Sequence, residues 1–293
     1  MISLRPSIIL FVLLTLSGCS SLPFRFPWQS TDGQESPGIS ELFEEKDLKA
    51  PLVGDNYQAK LGAPTISELA DSGLRPVDKE ALASCAKRLS LSPEQAELAD
   101  PSNFGNREPR DSWGRSLNSI PQLIVLHETV ISGLQTVALF KTHHPEDDQQ
   151  VSYHLLIDRD GRRLRIVPDE KRAYGSGMSA FGDATQRIKP SSVGSVNNIA
   201  LHVSLVSPVD GRDDRDGHSG YTEAQYKSLA GQVLLWQAAY GIPLTRVTTH
   251  AAVDRSHSRY DPRSFRWDRF DLDYRSAAAI CGFAQFDNQK AGL

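Results

Sequence analysis

Leu123-Ile124-Val125-Leu126-His127 is a continuous apolar run that ends on an imidazole. Apolar residues without alternation describe a strand covered on both faces, as in the interior of an α/β sheet. Further along the chain, residues 198–206 read as a second such strand and 244–249 as a last one, closing on His250. Residues 151–158 read as a strand, Asp158-Arg159-Asp160-Gly161 as a turn, and the alternating stretch 163–167 as the hairpin partner. Residues 136–144 are expected to be helical. So is the stretch after Tyr221, where Thr222 and Gln225 fit a capping box and Gly241 stops the helix. Its Leu229, Ala230, Val233, Leu234 and Ala238 share one face at helical spacing. Residues 175–196, rich in Gly, Ser and Ala, read as a long loop. Strands alternating with helices, plus one hairpin, predict an α/β domain over 120–268, a central mixed β-sheet flanked by helices.

Before it, residues 76–90 look helical, with Leu82, Cys85, Ala86 and Leu89 on one face, and 76–119 form a lead-in of helix and loop. Residues 269–293 are left as a C-terminal tail. Residues 20–75 read as a tether, carrying Pro23, Pro27, Gly33, Pro37, Gly38 and the acidic run Glu44-Glu45-Lys46-Asp47. Hydrophobic residues make up 39% of 293, enough for one sizeable core. The net charge of -4 and the lack of a basic footprint exclude nucleic acid as a partner.

Arg5 followed by the apolar run 8–16 is too short for a membrane span, which needs roughly 20 residues, and fits a secretory signal. Leu16-Ser17-Gly18-Cys19 resembles a bacterial lipobox. That resemblance implies that 1–19 is a lipoprotein signal segment with its lipobox, cleaved before Cys19, with lipid on Cys19 and attachment to a membrane through acyl chains. Ser20, rather than Asp, implies the outer membrane of a two-membrane cell, with the protein facing the periplasm. Cys85 and Cys281 are then the remaining cysteines. In an exported protein they invite a disulfide, with two buried free thiols as the alternative.

His127 and His250 close two strands, and Asp261 follows in the next loop, before Pro262. Ligands of open α/β sheets gather at strand ends. Two imidazoles and a carboxylate form a three-ligand set for catalytic zinc, leaving a fourth position for water. Spacing alone does not decide this, because no His-Glu-x-x-His motif is present and isolated histidines usually only pack or hydrogen-bond. Glu128 should face away from His127, as strand neighbours do. His154 reads as a packing or supporting residue, and His143 and His144 as helix-end cations. His218 is expected in a solvated loop, 213–220. His257 rivals Asp261 as a ligand, and Tyr174 either lines a groove or packs.

Further segments sharpen this. Ile124-Val125-Leu126-His127 is followed by Ser152-Tyr153-His154-Leu155-Leu156-Ile157-Asp158-Arg159-Asp160-Gly161, Ala173-Tyr174-Gly175 and Asn197-Asn198-Ile199. Tyr240-Gly241-Ile242-Pro243, Thr249-His250 and Asp261-Pro262 complete the series. In this order they resemble the zinc-dependent N-acetylmuramoyl-L-alanine amidases, the family of peptidoglycan recognition proteins and small phage amidases. The resemblance implies that family's fold, with zinc on His127, His250 and Asp261. It implies cleavage of peptidoglycan or muropeptides by zinc-activated water, between N-acetylmuramic acid and L-alanine. The stretch from His250 to Asp261 is one residue longer than the commonest pattern. Where many bacterial members carry a proton-transferring glutamate this chain has His202, and near a lysine position it has Arg259. His202 is thereby expected to transfer protons and Arg259 to stabilise negative charge. The alternatives are a non-catalytic peptidoglycan-binding envelope lipoprotein and a structural envelope lipoprotein. Bound zinc favours the enzyme over both.

Overall fold

The computed structural model describes residues 69, 71–182, 184–213 and 215–287. The expected signal segment lies outside them, and of the expected tether only residues 69 and 71–75 are included. The elements in chain order are α1 (Lys79–Arg88), β1 (Gln95–Ala96), β2 (Phe104–Asn106), β3 (Leu123–Glu128) and α2 (Gly133–Lys141). Next come β4 (Leu155–Ile157), β5 (Arg163–Arg165), β6 (Lys171–Ala173) and β7 (Ala200–Leu205). The last are α3 (Glu223–Tyr240), β8 (Val247–Thr249), α4 (His250–Val253), α5 (Trp267–Cys281) and α6 (Ala284–Asp287).

Six strands form a mixed sheet in the order β1-β5-β4-β7-β3-β8. β4, β7, β3 and β8 run parallel, the β4–β5 hairpin is antiparallel, and β1 pairs in parallel with β5. β2 and β6 make a separate antiparallel ribbon. This is the mixed α/β architecture read from the sequence.

Strand alternation divides the side chains between two layers. Ile124 and Leu126 of β3, with Leu201, Val203 and Leu205 of β7, pack against Leu229, Val233 and Leu234 of α3. Leu123 and Val125 take the other face, with Phe181, Val196, Ile199, Ala200 and Val253. His127 is two residues beyond Val125, and Val125 is in register with His202. Both imidazoles therefore lie on this second face, whereas Glu128 falls on the α3 side.

α3 is fixed at both ends as expected. Thr222 and Gln225 form the capping box, and Gly241 takes a left-handed φ of 69° at the C-cap. Other boundaries differ, each for a local reason. α2 starts at Gly133, three residues before the expected Thr136, because Ser132 and Gln135 supply a capping box of their own. The strand expected over 151–158 is confined to Leu155–Ile157, since Ser152 and His154 direct their backbones to Tyr174 and His202. Over 244–249, Leu244–Arg246 is a 3-10 turn. His250 opens α4 rather than ending a strand, as the Thr249 hydroxyl caps the Ala252 amide.

Helices outside the expected domain share its core. Phe270, Tyr274, Ala277, Ala278 and Cys281 make an apolar stripe on α5, and Cys85 of α1 joins the same cluster. Cys85 and Cys281 are disulfide-bonded, closing a separation of 196 residues. In the chain-entropy account such a crosslink contributes up to about 5 kcal/mol.

Candidate metal centre and its surroundings

Three elements bring the ligand candidates together. β3 carries His127 to its C-terminal end, β8 hands the chain to His250 at the start of α4, and a loop returns with Asp261. That loop is shaped by buried Asp254, whose carboxylate accepts from the backbone amides of Ser256, Ser258 and Arg259. The amide of Ala251 donates to the Asp261 carbonyl at 3.0 Å, holding the returning segment beside α4.

Asp261 lies between the two rings. Its Oδ2 is 3.2 Å from His127 Nδ1 and its Oδ1 is 3.0 Å from His250 Nδ1. One donor atom from each of the three residues falls within 4.8 Å of the others. Donors on a tetrahedral zinc ion at about 2 Å stand roughly 3.3 Å apart, so the spacing suits a shared ion. His127 Nδ1 is buried and makes no hydrogen bond of acceptable geometry. A buried nitrogen of this kind is costly unless something accepts its lone pair, and a cation held among these atoms would do so. Burial lowers the His127 pKa to about 4, against the pull of Asp261, so its ring is neutral at neutral pH. Burial pushes the Asp261 carboxyl up, but His250 and His127 outweigh it and hold the group ionised, well below its usual range.

The His127 ring is enclosed. Tyr153 stacks on it with ring centres 4.4 Å apart, and His250 meets it edge-on at 4.6 Å. Behind it, His127 Nε2 lies 2.9 Å from His202 Nδ1. His202 is wholly buried, and burial with the neighbouring His127 pushes its pKa well below the ordinary imidazole value. Its backbone amide donates to His154 Nδ1 at 3.0 Å. With Nδ1 accepting, His154 carries its proton on Nε2 and donates it to the Lys171 carbonyl at 3.1 Å. Buried Arg107 fixes the start of β7 through the Asn198 and Ala200 carbonyls.

Glu128 does point away from the ligand group, as strand geometry requires. It is buried, and its carboxylate accepts from Arg263 Nε at 2.6 Å, Ser207 Oγ at 3.1 Å and Tyr221 OH at 3.2 Å. His218 corrects an expectation. Its side chain is not in a solvated loop but buried, with Nε2 2.9 Å from Glu128 Oε2. Arg263 also donates to the carbonyls of Gly211, Asp213 and Arg215. The polar run around Asp213 is thus tied down by a partner some fifty residues away, which composition does not reveal.

His202, expected to transfer protons, stands behind the His127 ring. A proton-transfer group needs a ring nitrogen on the open side of the site. Here Nδ1 is taken by His127, and Nε2 is buried with no partner among the described residues. Arg259 is half-buried, and its charge bears on both His127 and Tyr153. His257 is exposed and outside the ligand group. His154 is the supporting residue expected. His143 and His144 bind Asp100 and Asn103 beyond the end of α2. Tyr174 is half-buried, with Arg172 over its ring. The Tyr153 stack was missed. An aromatic two residues before β4 is its only local signal.

A family profile described as N-acetylmuramoyl-L-alanine amidase matches residues 117–264. The chain is 29% identical over 121 residues to the 1,6-anhydro-N-acetylmuramyl-L-alanine amidase AmpD of Salmonella typhimurium strain LT2, covering 41% of this chain and 56% of that protein. It is 27% identical over 121 residues to AmpD of Escherichia coli strain K12, covering 41% and 57%. The chain thus spans little more than half the length of these curated relatives. Among solved structures, the crystal structure of a selenomethionine AmpD derivative aligns with a TM-score of 0.46 at 24% identity, over 62% of this chain and 95% of that one.

Proposed function

The chain belongs to the N-acetylmuramoyl-L-alanine amidase family, and on that premise we propose that it hydrolyses the amide between N-acetylmuramic acid and L-alanine in peptidoglycan or its soluble fragments. The observation that carries this reading is the convergence of His127, His250 and Asp261 at the C-terminal end of the sheet, with donor atoms within 4.8 Å. His127, His250 and Asp261 would hold zinc, which when bound would supply a Lewis acid for the scissile carbonyl and lower the pKa of a water toward neutrality.

The chain's own groups complete the chemistry. Burial keeps His127 neutral, so its lone pair is available without loss of a proton at neutral pH. Ionised Asp261 offsets cationic charge and holds both rings at 3.0–3.2 Å. Tyr153 covers the face of His127 and fixes its plane. Arg259 brings a guanidinium, a donor-only group, that stabilises charge building on the carbonyl oxygen. A non-catalytic binding module would be expected to lack a ligand, and this chain retains all three.

We propose further, on the lipobox resemblance of Leu16-Ser17-Gly18-Cys19, that the protein lies in the cell envelope, lipid-anchored through Cys19 and facing the periplasm from the outer membrane. The Cys85–Cys281 bond supports an oxidising compartment. The test is dye release from labelled sacculi by the zinc-loaded protein and by His127→Ala. Release by the parent and loss of both zinc and release in the variant are expected. Binding to sacculi without release by the zinc-loaded parent would favour the non-catalytic alternative.

A further inference from the structure

We infer that His202 is a positioning residue, which acts on the metal centre through His127 by accepting the proton of its Nε2. The inference rests on the metal-site reading above. If His127 presents Nδ1 to an ion, its one proton must sit on Nε2. That nitrogen is buried, and a buried N–H requires an acceptor. The acceptor is His202 Nδ1, 2.9 Å away. A partner on the far nitrogen fixes the tautomer and plane of a ligating histidine and makes it a better donor to the metal.

The fold holds the His202 ring in that place from several sides. Its backbone is bonded in both directions to His154, which donates its amide to the His202 carbonyl at 2.9 Å and accepts the His202 amide on Nδ1 at 3.0 Å. The His154 ring lies nearly parallel to that of His202, with centres 5.7 Å apart. On another side the backbone of Gly175 approaches so closely that a Cβ there would stand 2.5 Å from His202 Cγ. Any side chain at 175 would displace the ring. The glycine of the Ala173-Tyr174-Gly175 segment is therefore required by the imidazole at 202. A group so enclosed suits orientation of a neighbour and not exchange of protons with a substrate.

Two substitutions separate the roles. In His202→Asn the amide oxygen stands on Cγ, as Nδ1 does in histidine, and can accept from His127. His202→Leu has similar bulk and no acceptor. Zinc affinity is measured by chelator competition on the parent and both variants, with turnover on soluble muropeptides after loading. The expected result is a 10- to 100-fold weaker affinity for His202→Leu, the usual effect of losing such a partner. His202→Asn should stay within a few-fold of the parent in affinity and turnover. Zinc bound as tightly by His202→Leu as by the parent overturns the inference. So does loss of turnover in both variants with zinc fully retained, which would return proton transfer to His202. A parent that binds no zinc fails at the earlier step and removes the metal site itself. Nitrogen-15 NMR of the imidazoles in the zinc-loaded parent reads the same point without substitution. The expected state is His127 protonated on Nε2 and His202 unprotonated on Nδ1, and the reverse arrangement contradicts the inference.

Discussion

His127 and His202 on neighbouring strands, and His154 just before β4, are wholly buried imidazoles. Burial is the largest influence on each and lowers all three pKa values, that of His127 to about 4. Unfolded histidines take up protons near pH 6.5. Between that pH and about 4 the unfolded chain binds more protons than the folded one, so stability must fall as the pH falls. Each such histidine contributes a loss of up to about 1.4 kcal/mol per pH unit within that window. The urea midpoint of the chelated protein is expected to decline steadily from pH 7 to pH 5, and a flat profile would contradict neutral burial. The grouping of His127, His250 and Asp261 was legible at this scale through the resemblance to the amidase family and not through spacing. The contact of His202 with His127 was not. Its partner lies 75 positions away, and only strand register brings the two rings together.

At the level of elements, the Glu128–Arg263 pair joins the end of β3 to the segment just past Asp261. Glu128 side-chain atoms are fully buried and those of Arg263 nearly so, at 0% and 2% exposure. Removing one partner of such a pair leaves a buried charge uncompensated, at a cost of about 3–5 kcal/mol. Glu128→Gln is expected to destabilise the protein by that order in chemical denaturation. A change below about 1 kcal/mol would show the pair to be dispensable. The apolar strands β3 and β7 and the capped helix α3 were readable from pattern alone, since periodicity and caps are local. Where a polar side chain redirects the backbone the reading failed. Ser132 moves the start of α2, Ser152 shortens the strand before β4, and Thr249 turns His250 into the first residue of α4. The polar stretch around His218 looked solvated because its anchors, Glu128 and Arg263, lie on distant elements.

For the whole molecule, alternation of strands and helices announced the α/β class, but not how far the core extends. α1 and α5 complete the layer over α3, and the Cys85–Cys281 bond ties them together. Short amphipathic segments without a visible partner read as flanks until their partner is known. Cys19 lies outside the described residues, and its lipidation is tested on the full-length protein. The parent is expected in the detergent phase on Triton X-114 partition and Cys19→Ala in the aqueous phase, whereas equal partition would remove the anchor. The bond that is cut decides the rest. Mass spectrometry of muropeptides incubated with the zinc-loaded protein should show free stem peptides beginning with L-alanine alongside peptide-free N-acetylmuramic acid. Muropeptides that stay intact, or that break at any other bond, would contradict the assignment.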